Sequence, residues 1–206
     1  MCQKVVAKPP RPSFDTGRRN EGNHMARITG KIDQYALVAF LIAQAAQARN
    51  KLGKKAIQKK VHLIHELGGV DTGYRFSFYT YGPFSVNLAG DLDVIANSGG
   101  AKVSYDDRDN HYQIDLSEHT DQMIQRGGEF IEKNRAAIEG VLEKFGSRTA
   151  KDLELFSTIA YLRRHAPPEE FENISELAEH VRSLKPKYSE TEIGTAITEV
   201  KDFLSK

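Results

Sequence analysis

The sequence predicts a mainly α protein with a small β component (α+β): a winged-helix-like core followed by a C-terminal helical subdomain. Three observations predict it. Between Tyr74 and Tyr79 the period of two places Tyr74, Phe76 and Phe78 on one side of a strand, and Arg75, Ser77 and Tyr79 on the other. That period breaks at Tyr81-Gly82-Pro83, after which Ser85 caps a short helix ending at Gly99-Gly100. Two amphipathic helices precede this unit and a hairpin follows it, so the order helix, helix, strand, helix, hairpin is that of an elaborated helix-turn-helix with a β wing.

Size and composition bound the alternatives. A chain of 206 residues holds one domain or two small ones, and 39% hydrophobic content with 28% charge is ordinary for a globular protein. The net charge of +1 gives no global attraction to nucleic acid, so such binding must come from local patches. A single cysteine, Cys2, excludes an internal disulfide and fits a reducing cytoplasm. No apolar run approaches the ~18 residues of a membrane span, and the start MCQKVVAKPP lacks the apolar region of a secretory signal. The expected location is therefore cytoplasmic.

Residues 1–30 read as a disordered basic arm, with Pro9, Pro10 and Pro12 and few large apolar side chains. Met25 sits where ordered sequence is expected to begin, which leaves Met1 and Met25 as alternative starts. The core domain is expected over 31–118 and the C-terminal subdomain over 119–206.

The first helix is expected at 33–49. Tyr35, Val38, Leu41 and Ile42 line one side, and Leu37, Phe40 and Ala45 widen it, as befits a central element. A second helix at 54–67 turns Ile57, Val61, Ile64 and Leu67 inward and closes at Gly68-Gly69. Its first half, with the residues before it, collects Arg49, Lys51, Lys54, Lys55, Lys59 and Lys60. A solvated helix face explains such a run, and contact with a phosphate or nucleic acid is the functional alternative. His62 and His65, three apart, lie about 60° apart around the axis. Their spacing is not that of HExxH and no cysteine joins them, so no metal site is expected.

The helix after Ser85 is expected to bury Val86, Ala89, Leu92 and Ile95. Beyond it, 102–105 and 111–116 alternate as an antiparallel hairpin around the polar turn 106–110. Asp106, Asp107, Asp109 and Asn110 lack the glycine and closing glutamate of a calcium loop. In the C-terminal part, 117–145 is helical with a break at Gly127-Gly128, and Thr149 with Asp152 opens a further helix. Its final Arg163-Arg164-His165 suits the negative end of the helix dipole. Ala166-Pro167-Pro168 forces a stop, and 169–172 reads as a solvated acidic loop. Asn173 with Glu176 and Ser189 with Glu192 form capping boxes for helices at 174–184 and 190–204.

Two stretches carry a family resemblance: LGKKAIQKKVHLIHELGG (52–69) and FSFYTYGPFSVNLAGDLDVIANSGG (76–100). They resemble the bacterial YwgA-type proteins and, more distantly, the Panacea antitoxin domain. Both have a helix of the type KLQKLVYL, a strand leading into YGPYS or YGPV, and a helix before a small wing. Downstream, DLELFSTIAYLRR (152–164) and KPKYSETEIGTAI (185–197) are similar to the C-terminal helices of the same group. The YwgA-type resemblance implies a fold; the Panacea resemblance implies a non-enzymatic role, binding a toxin protein or presenting it to a protease.

Function is then weighed on the residues. No P-loop, GxGxxG, GxSxG or Cys–His pairing is present, and Asp91 and Asp93 diverge by about 200° on a helix, so no catalytic residues and no cofactor are expected. For DNA, the helix 85–100 lacks Lys and Arg and carries Asp91 and Asp93, and the hairpin adds Asp106, Asp107, Asp109, Asp115 and Glu118 against Lys102 and Arg108. Carboxylates in a groove would face the phosphates, which disfavours the standard docking mode. The expectation is a protein partner bound through Tyr79, Tyr81, Gly82, Pro83, Phe84, Asn87 and Asp91, with a DNA-binding regulator using 49–60 as the alternative.

Overall fold

The structure, a computed structural model, describes residues 29–106 and 111–205. The arm up to residue 28, with Cys2 and Met25, and the hairpin tip 107–110 lie outside the described residues. Thr29 and Gly30, expected in the arm, belong to the fold. Thr29 Oγ1 donates to the Asp71 carbonyl oxygen at 2.7 Å, and Gly30 is the N-cap of the first helix.

The described residues are mostly helical, with two small antiparallel strand pairs among them. Helix α1 (Lys31–Gln47) is central: Ala36 to Ile42 are all buried in succession, and helices α4 (Thr120–Arg126) and α5 (Gly128–Phe145) pack on it. Helix α2 (Lys54–Glu66) lies between α5 and α6 (Ala150–His165). Hairpin β1 (Ser77–Tyr79) and β2 (Gly82–Phe84) runs into α3 (Val86–Asn97), and β3 (Lys102–Asp106) pairs with β4 (His111–Asp115), Tyr105 facing Tyr112. The Ile114 N–H donates to the Leu52 carbonyl oxygen at 2.8 Å, which ties the second hairpin to the start of α2.

The C-terminal part comprises α7 (Pro168–Glu172), α8 (Ile174–Leu184) and α9 (Glu190–Leu204), with α9 packed on both α6 and α8. Helices α8 and α9 have the expected limits. Ser189 and Glu192 form the full capping box, whereas Asn173 caps α8 by accepting from Ser175 and Glu176 without the return bond to its own N–H. The expected acidic loop is instead helix α7: Pro168 at its first position presets the turn, and Phe171 is buried. One contiguous hydrophobic core runs through α1, α2, α3, α5, α6, α8 and α9, across the division expected at residue 118.

Two local corrections concern the β1–α3 unit. The Tyr74–Tyr79 alternation holds, but only Ser77–Tyr79 pairs, with β2, and the reversal is Thr80-Tyr81; Gly82 and Pro83 are strand residues. On α3 the buried face is Leu88, Asp91, Leu92 and Ile95, while Val86 is 65% exposed. A polar Asp91 on the inner face turns the helix by about one position from the purely apolar assignment.

Candidate functional site

The Tyr-Gly-Pro-Phe-Ser segment and the Thr80 before it are held from beneath by side chains of α2 and of the stretch after α8. From α2, Gln58 donates through Nε2 to the Ser85 carbonyl oxygen and accepts the Ser85 N–H at Oε1, both at 2.9 Å. Lys59 Nζ, in the same helix, donates to the Pro83 carbonyl oxygen at 2.6 Å. Beyond α8, Lys185 Nζ donates to the Thr80 carbonyl oxygen at 2.7 Å and to Glu154 Oε1 of α6 at 2.8 Å. Lys187 reaches the other Glu154 oxygen at 2.8 Å. Gly82 sits at φ +79, and a Cβ there would stand 3.2 Å from Thr158 Oγ1 and 3.5 Å from Lys59 Nζ, so both the dihedral and the close approach require glycine.

The electrostatics beneath the hairpin follow from this packing. Lys59 is 5% exposed, and burial, with the neighbouring Lys185 charge, lowers its pKa to about 8 against the pull of Glu154. For Glu154, burial pushes the carboxyl up, but the hydrogen bonds and charges of Lys185 and Lys187 outweigh it and hold it below the usual carboxylate range. Further along α2, His62 is fully buried, with neither ring nitrogen hydrogen-bonded among the described residues; Phe76 meets it edge-on and Tyr161 stacks beside it. Burial, with the charges of Lys59, His65 and His165, holds His62 neutral. His65 points elsewhere, its Nδ1 3.0 Å from the Val70 carbonyl oxygen. Among the described residues no group of three His, Cys, Asp or Glu side chains could hold a metal ion.

The expected partner-binding residues separate into two sets. Tyr79, at 53% exposure, and Tyr81, at 58%, project outward with Asn87, and Phe84 is half-buried edge-on against Tyr79. Gly82 and Pro83 are buried on α2 and α6, and Asp91 is buried on the other side of α3. The Asp91 carboxylate already accepts from Lys31 Nζ (2.8 Å) and from the Tyr74 hydroxyl (3.0 Å). Burial and the Asp91 charge push the Tyr74 phenol far up. Val86, placed inside by the sequence reading, joins the exposed set beside the hairpin.

The basic segment separates likewise. Arg49 and Lys51 are exposed, Arg49 at φ +54 where the chain leaves α1. Lys54 pairs with Asp93 at 2.8 Å and lies over the Tyr112 ring; Lys55 lies over the Tyr81 ring, 4.7 Å from its centroid. Lys59 and Lys60 are both buried, Lys59 beneath the hairpin and Lys60 on the opposite flank of α2. The basic run 49–60 therefore does not form a single solvated face. The acidity assigned to α3 is also reduced, since Lys31 and Lys54 neutralise Asp91 and Asp93. Asp107, Arg108 and Asp109 of the hairpin lie outside the described residues. Sequence reasoning missed Gln58, Glu154 and Lys185. The ammonium–carboxylate contact joins residues 31 positions apart, which no local period encodes.

Fold and site together define a mainly helical protein whose β1–β2 hairpin and following turn are braced by Gln58, Lys59 and Lys185. Comparison with protein-family models finds no family that matches. Among curated proteins the chain is similar to the uncharacterized protein YwgA of Bacillus subtilis (strain 168), with 21% identity over 154 residues spanning 73% of this chain and 86% of that one. No helix among the described residues is long and apolar enough to cross a membrane.

Proposed function

We propose that this protein is a non-enzymatic, cytoplasmic protein-binding module, antitoxin- or adaptor-like, whose contact surface is the β1–β2 hairpin and the start of α3. The observation that carries the reading is the exposure of Tyr79, Tyr81 and Val86 together on a segment whose backbone is fixed by Gln58, Lys59 and Lys185. Aromatic side chains on a preorganised backbone lose little entropy on docking and are enriched among binding hot spots. The outward residues of α3 continue the surface with Asn87, Asp93 and Val94, a composition suited to a protein. The toxin-like character of the partner rests on the more distant resemblance of 52–69 and 76–100 to the Panacea antitoxin domain.

The test is affinity capture from native lysate with wild type and with Tyr81→Ala/Val86→Asp. A defined partner retained by wild type and lost by the variant, with the variant's thermal stability unchanged, supports the reading. Equal recovery by both proteins, or no partner with either, overturns it.

A DNA-binding winged-helix regulator is the second reading, favoured by the neutralisation of Asp91 and Asp93 and by the exposed Arg49, Lys51 and Lys55. It requires salt-sensitive retention on duplex DNA that Lys54→Glu/Lys55→Glu abolishes. Against it, α3 presents Val86 and Val94 outward and no cation.

A further inference from the structure

A cleft of about 720 Å³ opens between the start of α2, the β3–β4 hairpin and the α5–α6 connection. Lys51, Lys54, Lys55, Lys60 and Arg148 all line it, together with the Tyr105 and Tyr112 rings, and among the described residues no aspartate or glutamate does. Its volume is that of a small-molecule site, for which about 300–1,000 Å³ is typical.

Two independent features of this cleft point to an anion. First, α2 begins at Gly53 with no side-chain cap bond and no acidic residue in its first turn, and Lys54, Lys55 and Ala56 of that turn line the cleft. The first N–H groups of a helix have no partner within it, and its dipole favours negative charge there. The other helix that starts at the cleft, α6, is closed by the Thr149–Asp152 capping box, so the two N-termini differ. Second, Lys60 is 5% exposed and has neither an ion pair nor a hydrogen bond among the described residues, yet it lines the cleft. A buried ammonium without a counter-charge is costly. Burial lowers its pKa, as expected of a cation that lacks an anion.

Lys60 also borders a smaller cleft of about 320 Å³ that holds Glu139 and Glu143. Glu139 is bound to Arg135, and neither carboxylate is within ion-pair distance of Lys60. Arg148 is engaged with Glu199 at 2.6 Å and Lys54 with Asp93, and Lys51 too has a partner. Lys55, which lies over the Tyr81 ring, and Lys60 are the cations best placed to meet a ligand. Tyr105 and Tyr112, 48% and 47% exposed with centroids 5.1 Å apart, offer an aromatic edge against which a flat ring can pack.

We propose that this cleft binds a phosphorylated small molecule of nucleotide size, its phosphates at the α2 N-terminus, Lys55 and Lys60 and its planar group against Tyr105 and Tyr112. A concave, recessed site favours such a ligand over duplex DNA, whose phosphates lie on a convex surface that Lys60 cannot reach. The site does not depend on the protein-contact reading of the β1–β2 hairpin.

Isothermal titration calorimetry of the full chain with ADP, inorganic phosphate, adenosine and a 20-base-pair duplex tests this. The expected result is one ADP per chain, bound at least tenfold more tightly than phosphate or adenosine. Lys60→Met should weaken ADP at least tenfold; should that variant not fold, the exposed Lys55→Gln decides, with an expected loss of at least threefold. Tyr112→Ala should weaken ADP and leave phosphate unchanged. Absence of ADP binding at millimolar concentration overturns the proposal. So does ADP binding that the decisive lysine variant leaves intact, or binding of the duplex alone.

Discussion

Gln58 holds the backbone of Ser85 in both directions, donating to its carbonyl oxygen and accepting from its N–H, each at 2.9 Å. A helix side chain thereby supplies the pair of bonds that a neighbouring strand would give, at the point where β2 turns into α3. Both backbone groups are buried, so an apolar replacement leaves them without partners at about 1–3 kcal/mol each. Gln58→Leu should therefore lower the melting temperature by several degrees, at roughly 2–4 °C per kcal/mol for a chain of this size. Gln58→Glu should fall close to it, since a carboxylate cannot donate to the Ser85 carbonyl. Thermal denaturation of the two variants checks this, and a Gln58→Glu protein as stable as wild type would contradict the geometry.

His62 makes stability sensitive to acid. Its folded pKa lies well below 6.5 while the unfolded chain titrates at the ordinary value, so below pH 6.5 the unfolded state binds more protons. The contribution is present above pH 6.5 and is lost as the pH falls beneath it. His62→Leu, which keeps the packing against Phe76 and Tyr161, should flatten the fall in urea midpoint between pH 6.5 and 5. Parallel curves for the two proteins would show that His62 does not carry the effect.

Lys59 acts in the opposite pH range. With a folded pKa of about 8 against 10.5 unfolded, the unfolded chain binds more protons between those values, so this group makes stability rise with pH through that window. Comparison of wild type with Lys59→Met isolates the effect from other groups that titrate there. The wild-type curve should gain on the variant from pH 8 to 10. A neutral amine still donates to the Pro83 carbonyl oxygen, so the hairpin keeps its anchor as the charge leaves.

Lys185 and Glu154 form the buried pair beneath the hairpin, and loss of the carboxylate strands the Lys185 ammonium, whereas loss of Lys185 leaves Glu154 paired with Lys187. Glu154→Leu should therefore destabilise the fold by about 3–5 kcal/mol. Addition of Lys185→Met should recover a large share, leaving the unbonded Thr80 carbonyl as the residual cost. A double-mutant cycle in urea measures the coupling, and additive effects would refute it.

Asp91 and Tyr74 should couple in the same manner. Tyr74→Phe removes one hydrogen bond to a carboxylate, expected at about 1.5–3 kcal/mol. In an Asp91→Asn background the same substitution should cost less.

The helices were legible in the sequence because they are local. Ser189 with Glu192 and Thr149 with Asp152 lie within one turn of each other, and α8 and α9 have the limits their caps predict. The site was only half legible. Tyr79 and Tyr81 face out, as alternation and turn position imply. The fate of each charge was not legible: Lys31 meets Asp91 across 60 positions and Lys185 meets Thr80 across 105. A count of acids on α3 treats Asp91 as surface, whereas the fold uses it inside. Val86 was misplaced for the same reason, since an apolar face was sought where the inner face carries a carboxylate.

The unbroken run of buried residues from Ala36 to Ile42 has a consequence for biosynthesis. Helix α1 is made first, but α4 and α5, which cover it, end at residues 126 and 145. At about 5–20 residues per second, the ribosome needs several seconds to reach them. Over that interval the buried run 36–42 lacks the two helices that pack most heavily on α1, so early α1 is where a chaperone would be expected to engage.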